Sequence, residues 1–447
     1  KFYAAYNFRL FWYLLFHKGD VLVANDLDTL LANYLAKKFK PSAELVYDSH
    51  EYFTEVPELT SRPKVQKVWL KIERFIFPKL KKNFSNTVAE QEKLYDLIDE
   101  LYEHEQLDRE DYLYVLNNMT EEDSSYLFSR AFEKKEFYYG NKVYLRGLIE
   151  ISNYCKMGCK YCGINYKVDT VERYRLTKEE IVSSCNEGYL MGYRTFVMQG
   201  GEDSFYTDEV LTDILRTLKS KYKDIRITLS LGERPRDSYQ KLYDAGADRY
   251  LLRHETASRR LYDYLHASFM SFDNRRQCLE NLREIGYQVG GGMMIGSPTQ
   301  TNEDLVEDLL YLKKLQPHMV GVGPYLCHSD TELAGNDSGT LMETLVMVAL
   351  VRLILPKALL PATTALGTLN PIGRELALKA GANIMMPNIS PTENRDKYEI
   401  YQNKICTTDT SDQCRNCIEA RIVGVGHEID LGVGDYYDLE KENFNDK

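Results

Sequence analysis

The sequence lacks any long, uninterrupted apolar run. The most apolar segment, residues 341–355, contains Glu343 and Arg352, whereas a membrane-spanning helix needs about 20 predominantly apolar residues. The chain also has fewer basic than acidic residues, with 56 Lys and Arg against 67 Asp and Glu, which gives a net charge of −11. Binding to nucleic acid or to an anionic membrane needs a basic surface that meets phosphate groups. We therefore expect neither a membrane nor a nucleic acid as partner.

Cysteine is scarce as well, with nine residues in a chain of 447. That density is too low for a secreted scaffold held together by disulfides. Six of the nine nevertheless form two tight groups, which are Cys155, Cys159 and Cys162, and Cys406, Cys414 and Cys417. Clustered cysteines in a chain without a disulfide framework indicate metal binding or catalysis. We expect a cytoplasmic protein with two metal sites.

Residues 1–87 predict a small Rossmann-like α/β fragment. Apolar strands are expected at 21–24 and 45–47, with a helix over about 29–38 between them, which is one βαβ unit of a parallel sheet. Segments 25–30 and 47–57 resemble the N-terminal half of GT-B glycosyltransferases. That family holds its nucleotide sugar mainly in a C-terminal domain, for which the sequence offers no counterpart. The fragment is interpreted as a natural fusion or a mis-joined gene, and the second reading is favoured.

Residues 88–142 predict a helical lead-in, with Asp108 and Thr120 as N-caps. From 143 to 390 strands and amphipathic helices alternate, and residues 391–447 form a C-terminal segment that holds the second cysteine group. Eight strands are predicted, at 144–151, 195–199, 226–231, 249–253, 288–295, 319–325, 360–364 and 383–386. That count is typical of an α/β protein with a (β/α)₈ TIM barrel, and an open doubly wound sheet is the alternative.

The strongest motif is Cys155-Lys-Met-Gly-Cys159-Lys-Tyr-Cys162, directly after the first predicted barrel strand. Chemistry in such barrels lies at the carboxyl ends of the strands. Three thiolates without a nearby histidine are one ligand short of a closed zinc site. They suit a 4Fe-4S cluster with one iron left open. A zinc ion completed by a distant ligand is the alternative.

This spacing after the first strand of a barrel resembles the hallmark of the radical SAM superfamily. The resemblance implies that the open iron binds the amino and carboxylate groups of S-adenosyl-L-methionine (SAM). It also implies that an electron from the reduced cluster cleaves the sulfonium, which gives methionine and a 5′-deoxyadenosyl radical. A barrel around such a radical must keep out water and other hydrogen donors.

The resemblance continues at Met198-Gln-Gly-Gly-Glu-Asp203, which is similar to the GGE motif that holds the methionine end of SAM. Tyr161 stands where the superfamily places an aromatic ring against adenine, and Glu255 stands where a ribose hydroxyl would be held. The predicted SAM-binding residues are Tyr161, Gly200, Gly201, Glu202, Ser230, Arg253, Glu255, Arg275 and Met319. Taken singly, the charged ones have an ordinary alternative as surface charges or salt-bridge partners.

Residues from about 89 to 430 resemble one subgroup, the radical SAM maturases of FeFe hydrogenase of the HydE type. The similarity is carried by segments 149–155, 230–233, 245–256, 319–324, 361–365 and 404–406. It implies a role in assembly of the hydrogenase H cluster, with other maturases and a reductant protein as partners and a small organometallic or amino-acid-derived substrate. The implied substrate contacts are Arg146, Gln199, Thr228, Thr363, Thr364, Tyr398 and Tyr401. The guanidinium group of an arginine and the hydroxyls of threonines inside a barrel suit an anionic ligand in a dry cavity.

The second cysteine group also occurs in this subgroup, where it holds a peripheral auxiliary cluster. We therefore expect a second iron–sulfur cluster here, 2Fe-2S or 4Fe-4S, with a zinc ion or an empty triad as the alternative. One departure is Gly200, where some relatives have serine.

Three other functions stay open at this point. Biotin synthase and methylornithine synthase share the first cysteine group, but the C-terminal group favours the maturase. Glycosyl transfer by residues 1–87 is disfavoured because the nucleotide-sugar domain is missing. A non-catalytic iron–sulfur scaffold would have no use for the SAM-facing residues, so binding of SAM separates it from the enzyme.

Overall fold

The computed structural model describes residues 2–17, 21–25, 27–40, 42–48, 67–68, 71, 76 and 83–438. The chain forms two compact units, Lys1–Lys93 and Leu94–Lys447. Most of the glycosyltransferase-like segment 47–57 lies outside the described residues. No described helix has the length and apolarity that a bilayer crossing requires.

The N-terminal unit has the predicted strand–helix–strand order. Its elements are α1 (Phe2–Phe16), β1 (Val21–Asn25), α2 (Leu27–Phe39) and β2 (Glu44–Asp48). The two strands pair in parallel, with Val21 opposite Glu44. Leu22, Ala36 and Ala43 are buried between the strands and the helix. These apolar side chains are small enough for the helix to pack closely on the strands, and their burial stabilises the unit.

Three helices lead into the larger unit: α3 (Asn83–His104), α4 (Arg109–Asn118) and α5 (Glu121–Tyr139). Both predicted N-caps are confirmed. The Asp108 carboxylate accepts the N–H of Asp111 at 3.0 Å, and the Thr120 hydroxyl accepts that of Asp123 at 3.2 Å. Such caps satisfy amide groups that have no partner within the helix.

The predicted barrel is confirmed, and all its strands pair in parallel. Its strands are β3 (Lys142–Leu145), β4 (Gly147–Ser152), β5 (Thr195–Gly200), β6 (Arg226–Ser230), β7 (Arg249–Leu251), β8 (Gln288–Ile295), β9 (Met319–Pro324), β10 (Ile384–Met385) and β11 (Glu428–Asp430). Strands β4 to β9 form one sheet in chain order, and β3 lies between β10 and β11 in a second sheet.

Isolated parallel bridges close the ring. They join Met319 to Leu359, Pro361 to Ile384 and Leu148 to Asn388, so pairing runs from β9 through 359–361 to β10 and back to β4. The seventh strand is shorter than predicted, because Pro361 has no N–H to donate to a ladder. The expected strand over 360–364 is wrong at its end, since a helix begins at Thr364.

Helices cover the outside of the barrel: α6 (Lys178–Leu190), α7 (Asp208–Lys221), α8 (Arg236–Asp244), α9 (Arg259–Leu265), α10 (Phe272–Ile285), α11 (Asn302–Leu315), α12 (Leu341–Ile354), α13 (Thr364–Leu369), α14 (Gly373–Lys379), α15 (Thr392–Arg395) and α16 (Ser411–Gly424). In α7 the buried residues Leu211, Ile214, Leu215 and Leu218 recur at helical spacing, so one stripe faces the strands.

The C-terminal segment closes the amino ends of the strands. Asp435 lies 2.6 Å from the fully buried guanidinium of Arg249, and Gln288 donates to the same carboxylate at 2.7 Å. Although burial opposes its charge, Arg249 and the neighbouring donors hold the pKa of Asp435 at about 2. This end of the barrel is therefore sealed by a buried ion pair, and the opposite end is left for chemistry.

Candidate active site

The barrel holds a cavity of about 320 Å³ at the carboxyl ends of its strands, which is the size range of small-molecule sites. Most of the predicted site residues meet on its wall: Cys159, Tyr161, Cys162, Gln199, Gly200, Ser230, Arg253, Glu255, Arg275, Thr363, Thr364, Tyr398 and Tyr401. These residues come from every part of the barrel, and closure of the ring brings them together.

The first cysteine group lies on the loop that follows β4. Cys155 Sγ accepts the N–H groups of Met157 and Glu202, both at 3.4 Å. The Asn165 side chain donates to the carbonyl of Cys159 at 3.2 Å and to that of Cys162 at 2.7 Å. These bonds fix the loop, so the three thiols are presented by a defined backbone.

Burial raises the pKa of all three thiols, and that of Cys162 rises to about 12. Neutral thiols are favoured in such surroundings unless a metal centre holds the thiolates, so metal binding must release protons. Among the described residues, no three His, Cys, Asp or Glu side chains converge closely enough for a single ion. A 4Fe-4S cluster is wider than an ion, and three cysteines are the donor set that leaves one iron open.

Two glycines allow close packing here, Gly201 against the cysteine loop and Gly232 against the Glu202 side chain. A Cβ on Gly201 would stand 2.2 Å from the Tyr154 carbonyl oxygen and 2.7 Å from Cys155 Cβ. Gly232 has φ +74°, and a Cβ there would stand 2.0 Å from Glu202 Cγ. No larger residue fits at either position. The Gly-Gly-Glu turn is thus placed against the cysteine loop by backbone contact.

Charged side chains converge beside the loop. The buried Glu202 carboxylate accepts the N–H of Glu233 at 2.9 Å, and burial raises the pKa of Glu202. Arg275 Nε lies 2.6 Å from the Glu233 carboxylate. Although burial opposes its charge, Glu233 and its acidic neighbours raise the pKa of Arg275. A buried array of both signs suits the charged amino and carboxylate groups of an amino acid.

Glu255 adopts an unusual backbone conformation at the cavity wall. Its φ is +65°, a region that costs energy for any residue with a Cβ. Parallel pairing with Met293 and a contact of 3.1 Å with Arg253 hold the residue in place. In this backbone conformation, Glu255 lines the cavity.

Elsewhere on the wall, the Thr363 hydroxyl is buried and has no hydrogen-bond partner among the described residues. Gln199 Nε2 donates to the Tyr398 hydroxyl at 3.3 Å, and burial raises the pKa of Tyr398 and of Tyr401. An unpaired buried hydroxyl is costly, so the position of Thr363 Oγ1 fits a polar ligand in the cavity.

Six residues predicted for this site do not line this cavity: Cys155, Gly201 and Glu202, whose contacts are given above, and Arg146, Thr228 and Met319. Arg146 donates to Met319 Sδ at 3.1 Å and to the Gly434 carbonyl at 3.2 Å. Arg146 and Met319 lie towards the amino ends of the strands. Thr228 is buried inside the barrel. The predicted roles of Arg146 and Thr228 in substrate binding, and of Met319 in SAM binding, stay predictions.

A buried ion pair on the wall was not predicted from the sequence. Lys404 Nζ lies 2.5 Å from the Glu150 carboxylate and donates to the Tyr398 carbonyl at 2.9 Å, while Asn388 donates to the same carboxylate at 2.9 Å. A glutamate within the apolar strand 147–152 signals that a buried partner must exist. Nothing local identifies a lysine 254 positions away.

The second cysteine group lies beyond the barrel. Cys414 is buried and Cys417 exposed on α16, and Cys406 is half-buried on the preceding loop. Cys406 has φ +63°, and its hydrogen bond with Cys414 lowers its pKa. Three cysteines fit an iron–sulfur centre here too, but the recess beside Cys406 and Cys414 is only about 10 Å³.

Comparisons with known proteins agree with this geometry. Residues 149–312 match the family model described as the Radical SAM superfamily. The chain is thus an iron–sulfur, SAM-dependent enzyme of the radical SAM class. It is 29% identical to 3-methylornithine synthase of Methanosarcina acetivorans over 72% of this chain and 90% of that protein. A crystal structure of methylornithine synthase (PylB) superimposes with a TM-score of 0.67 at 27% identity, over 77% of this chain and 99% of that one.

A second relative is more similar still. The chain is 45% identical to the FeFe hydrogenase maturase subunit HydE of Thermotoga maritima, over 68% of this chain and 86% of that protein. The chain belongs to the HydE family of hydrogenase maturases.

Proposed function

We propose that the chain cleaves SAM at the cavity wall and that the resulting radical acts on a small substrate during assembly of the hydrogenase H cluster. One observation carries the proposal: the cysteine loop, the Gly-Gly-Glu turn and the Arg275 array adjoin a single cavity. A scaffold or an electron carrier has no need of that convergence.

Cys155, Cys159 and Cys162 would hold the 4Fe-4S cluster. When bound, it supplies the electron that cleaves the sulfonium of SAM. The Glu202 carboxylate accepts hydrogen bonds from the amino group of SAM. Arg275 and Arg253 attract the carboxylate of SAM. The lining residues Tyr161 and Glu255 orient the nucleoside.

The substrate is proposed to occupy the part of the cavity that is lined by the predicted substrate contacts. Thr363 and Thr364 offer hydroxyls, Gln199 and Tyr398 form a hydrogen-bonded pair, and Tyr401 lies in the same wall. The unpaired hydroxyl and the neighbouring amide and phenol groups suit a small polar ligand, organometallic or derived from an amino acid. Closed surroundings keep competing hydrogen donors away from the radical.

Two further proposals concern the rest of the chain. Cys406, Cys414 and Cys417 would hold an auxiliary cluster, 2Fe-2S or 4Fe-4S, outside the reacting cavity. The partners would be the other hydrogenase maturases and a reductant protein, in the cytoplasm.

Cell-free maturation tests this function. Apo-hydrogenase, the other maturases and SAM are incubated without a HydE protein, and the reconstituted chain is then added. We expect hydrogen evolution to depend on the chain and to disappear in Cys159→Ala. If the chain cleaves SAM but never activates the hydrogenase, the maturase assignment is wrong and a methylornithine-type substrate should be tested.

A further inference from the structure

Two exposed aromatic rings cover the outer side of the first cysteine loop. Tyr166 is 51% exposed and Phe269 is 58% exposed, and their ring centroids are 6.2 Å apart. A Cβ on Gly158 would stand 3.1 Å from Tyr166 Cε1 and 3.6 Å from Phe269 Cε1. Both rings therefore lie on the backbone one residue before Cys159. Exposed aromatic pairs of this kind are enriched at protein interfaces.

The same loop is basic within an acidic chain. Residues 154–175 contain five Lys or Arg and two Asp or Glu, so 5 − 2 = +3, against −11 for the whole chain. Lys167 pairs with Glu332, and Arg175 pairs with Asp203. Neither Lys156 nor Lys160 lies within 4 Å of a carboxylate oxygen of the described residues.

Lys160 also ties the two sides of this surface together. Its ammonium donates to the Tyr264 carbonyl at 2.7 Å, and its backbone N–H donates to the Leu265 carbonyl at 2.9 Å. The Ala267 N–H donates to the Gly158 carbonyl at 3.1 Å. The cysteine loop and the segment that carries Phe269 thus form one preformed surface.

We propose that the cysteine-loop face, defined by Lys156, Lys160, Tyr166 and Phe269, is the docking surface for an acidic one-electron carrier protein. Lysines that form no ion pair steer a negatively charged protein towards the surface. A small aromatic contact is typical of the transient interfaces of electron transfer. The proposal rests on the proposed function. The carrier loses one electron and the cluster gains it, and no bond forms or breaks.

The first test measures binding of an acidic flavodoxin to the reconstituted chain at low and high ionic strength. We expect salt to weaken binding, and the double variant Lys156→Gln/Lys160→Gln to associate about tenfold more slowly. The matched control is Lys223→Gln/Lys314→Gln, which removes two exposed lysines from the other end of the barrel. Equal association rates for the two double variants would overturn the proposal.

The second test compares reductants. With reduced flavodoxin, Phe269→Ser should form 5′-deoxyadenosine several-fold more slowly than the native chain. With dithionite, which needs no docking surface, the two proteins should match. Equal rates with flavodoxin would overturn the docking proposal, as would self-association of the native chain that Phe269→Ser abolishes, because the face would then bind a second copy. Absence of product with either reductant from the native chain would instead contradict the proposed function.

Discussion

The two cysteine groups have the same number of thiols but occupy different surroundings. The first lies on a loop at the mouth of a 320 Å³ cavity, pressed against a glycine turn and a buried charge array. The second lies on a loop and an outer helix, where exposure increases from Cys414 to Cys417. Cys417 Sγ accepts a hydrogen bond from Arg421 at 3.4 Å.

The difference shows that a cysteine triad defines a metal site but not a reaction. Reactivity needs an adjoining space with groups that bind the second reactant, and in the part of the chain that the structure describes the first group has them. The Lys404–Glu150 ion pair stands between the two regions, because both residues line the large cavity and the small recess. Four predictions test this contrast, from the largest effect to the smallest.

Cys159→Ala should abolish SAM cleavage, because it removes one of three ligands from the cluster beside the cavity. The measurement is 5′-deoxyadenosine formation with dithionite under anaerobic conditions. Cys417→Ala, the same substitution in the second group, is the control and should retain activity. Equal loss in both variants would refute the division of roles.

Gly201→Ala should lower the rate of SAM cleavage about a hundredfold, because the added methyl pushes the strand end away from the cysteine loop and misplaces the binding groups by about 1 Å. Gly424→Ala is the matched change in α16, where a Cβ meets nothing within 4 Å. It should keep full activity and gain about 0.5–1 kcal/mol of stability. A fully active Gly201→Ala would contradict the close approach.

Lys404→Met should lower the free energy of unfolding by about 3–5 kcal/mol, since it leaves the Glu150 carboxylate buried and uncompensated. Adding Glu150→Gln should restore part of that loss. Lys357→Met breaks an exposed pair with Asp438 and should cost at most about 1 kcal/mol. Urea unfolding measures all three, and similar losses for the two lysines would mean that the buried pair is not special.

Cys414→Ala should have the smallest effect on chemistry. Iron content should fall as the second cluster is lost, while SAM cleavage per first cluster stays within about twofold of native. A cleavage rate that falls in step with iron content would place the second cluster in the reaction.

Much of this architecture can be predicted from sequence because its signals are local. Helix bounds follow from Thr and Ser caps, and the barrel follows from the alternation of strands with amphipathic helices. The cysteine loop and the Gly-Gly-Glu turn are short motifs that can be recognised without knowledge of the distant contacts in the fold. The βαβ order of the N-terminal fragment was predictable for the same reason.

The remaining features depend on contacts between distant residues. The partner of Glu150 lies on the C-terminal segment, and Asp435 reaches back to Arg249 at the amino ends of the strands. The shortness of the seventh strand depends on Pro361 in its barrel context. Arg146 is a further long-range case, since it contacts Met319 and Gly434, and its expected role at the substrate stays a prediction.

The most direct test of the central claim uses a variant that lacks the second group, Cys406→Ala/Cys414→Ala/Cys417→Ala, reconstituted with iron and sulfide and then reduced. Its electron paramagnetic resonance spectrum is recorded before and after addition of SAM. We expect a 4Fe-4S signal that changes on addition of SAM, because the first triad leaves one iron open beside the cavity. A signal that SAM does not change would mean that a fourth protein ligand closes the cluster, and would contradict a SAM-binding role for the first triad.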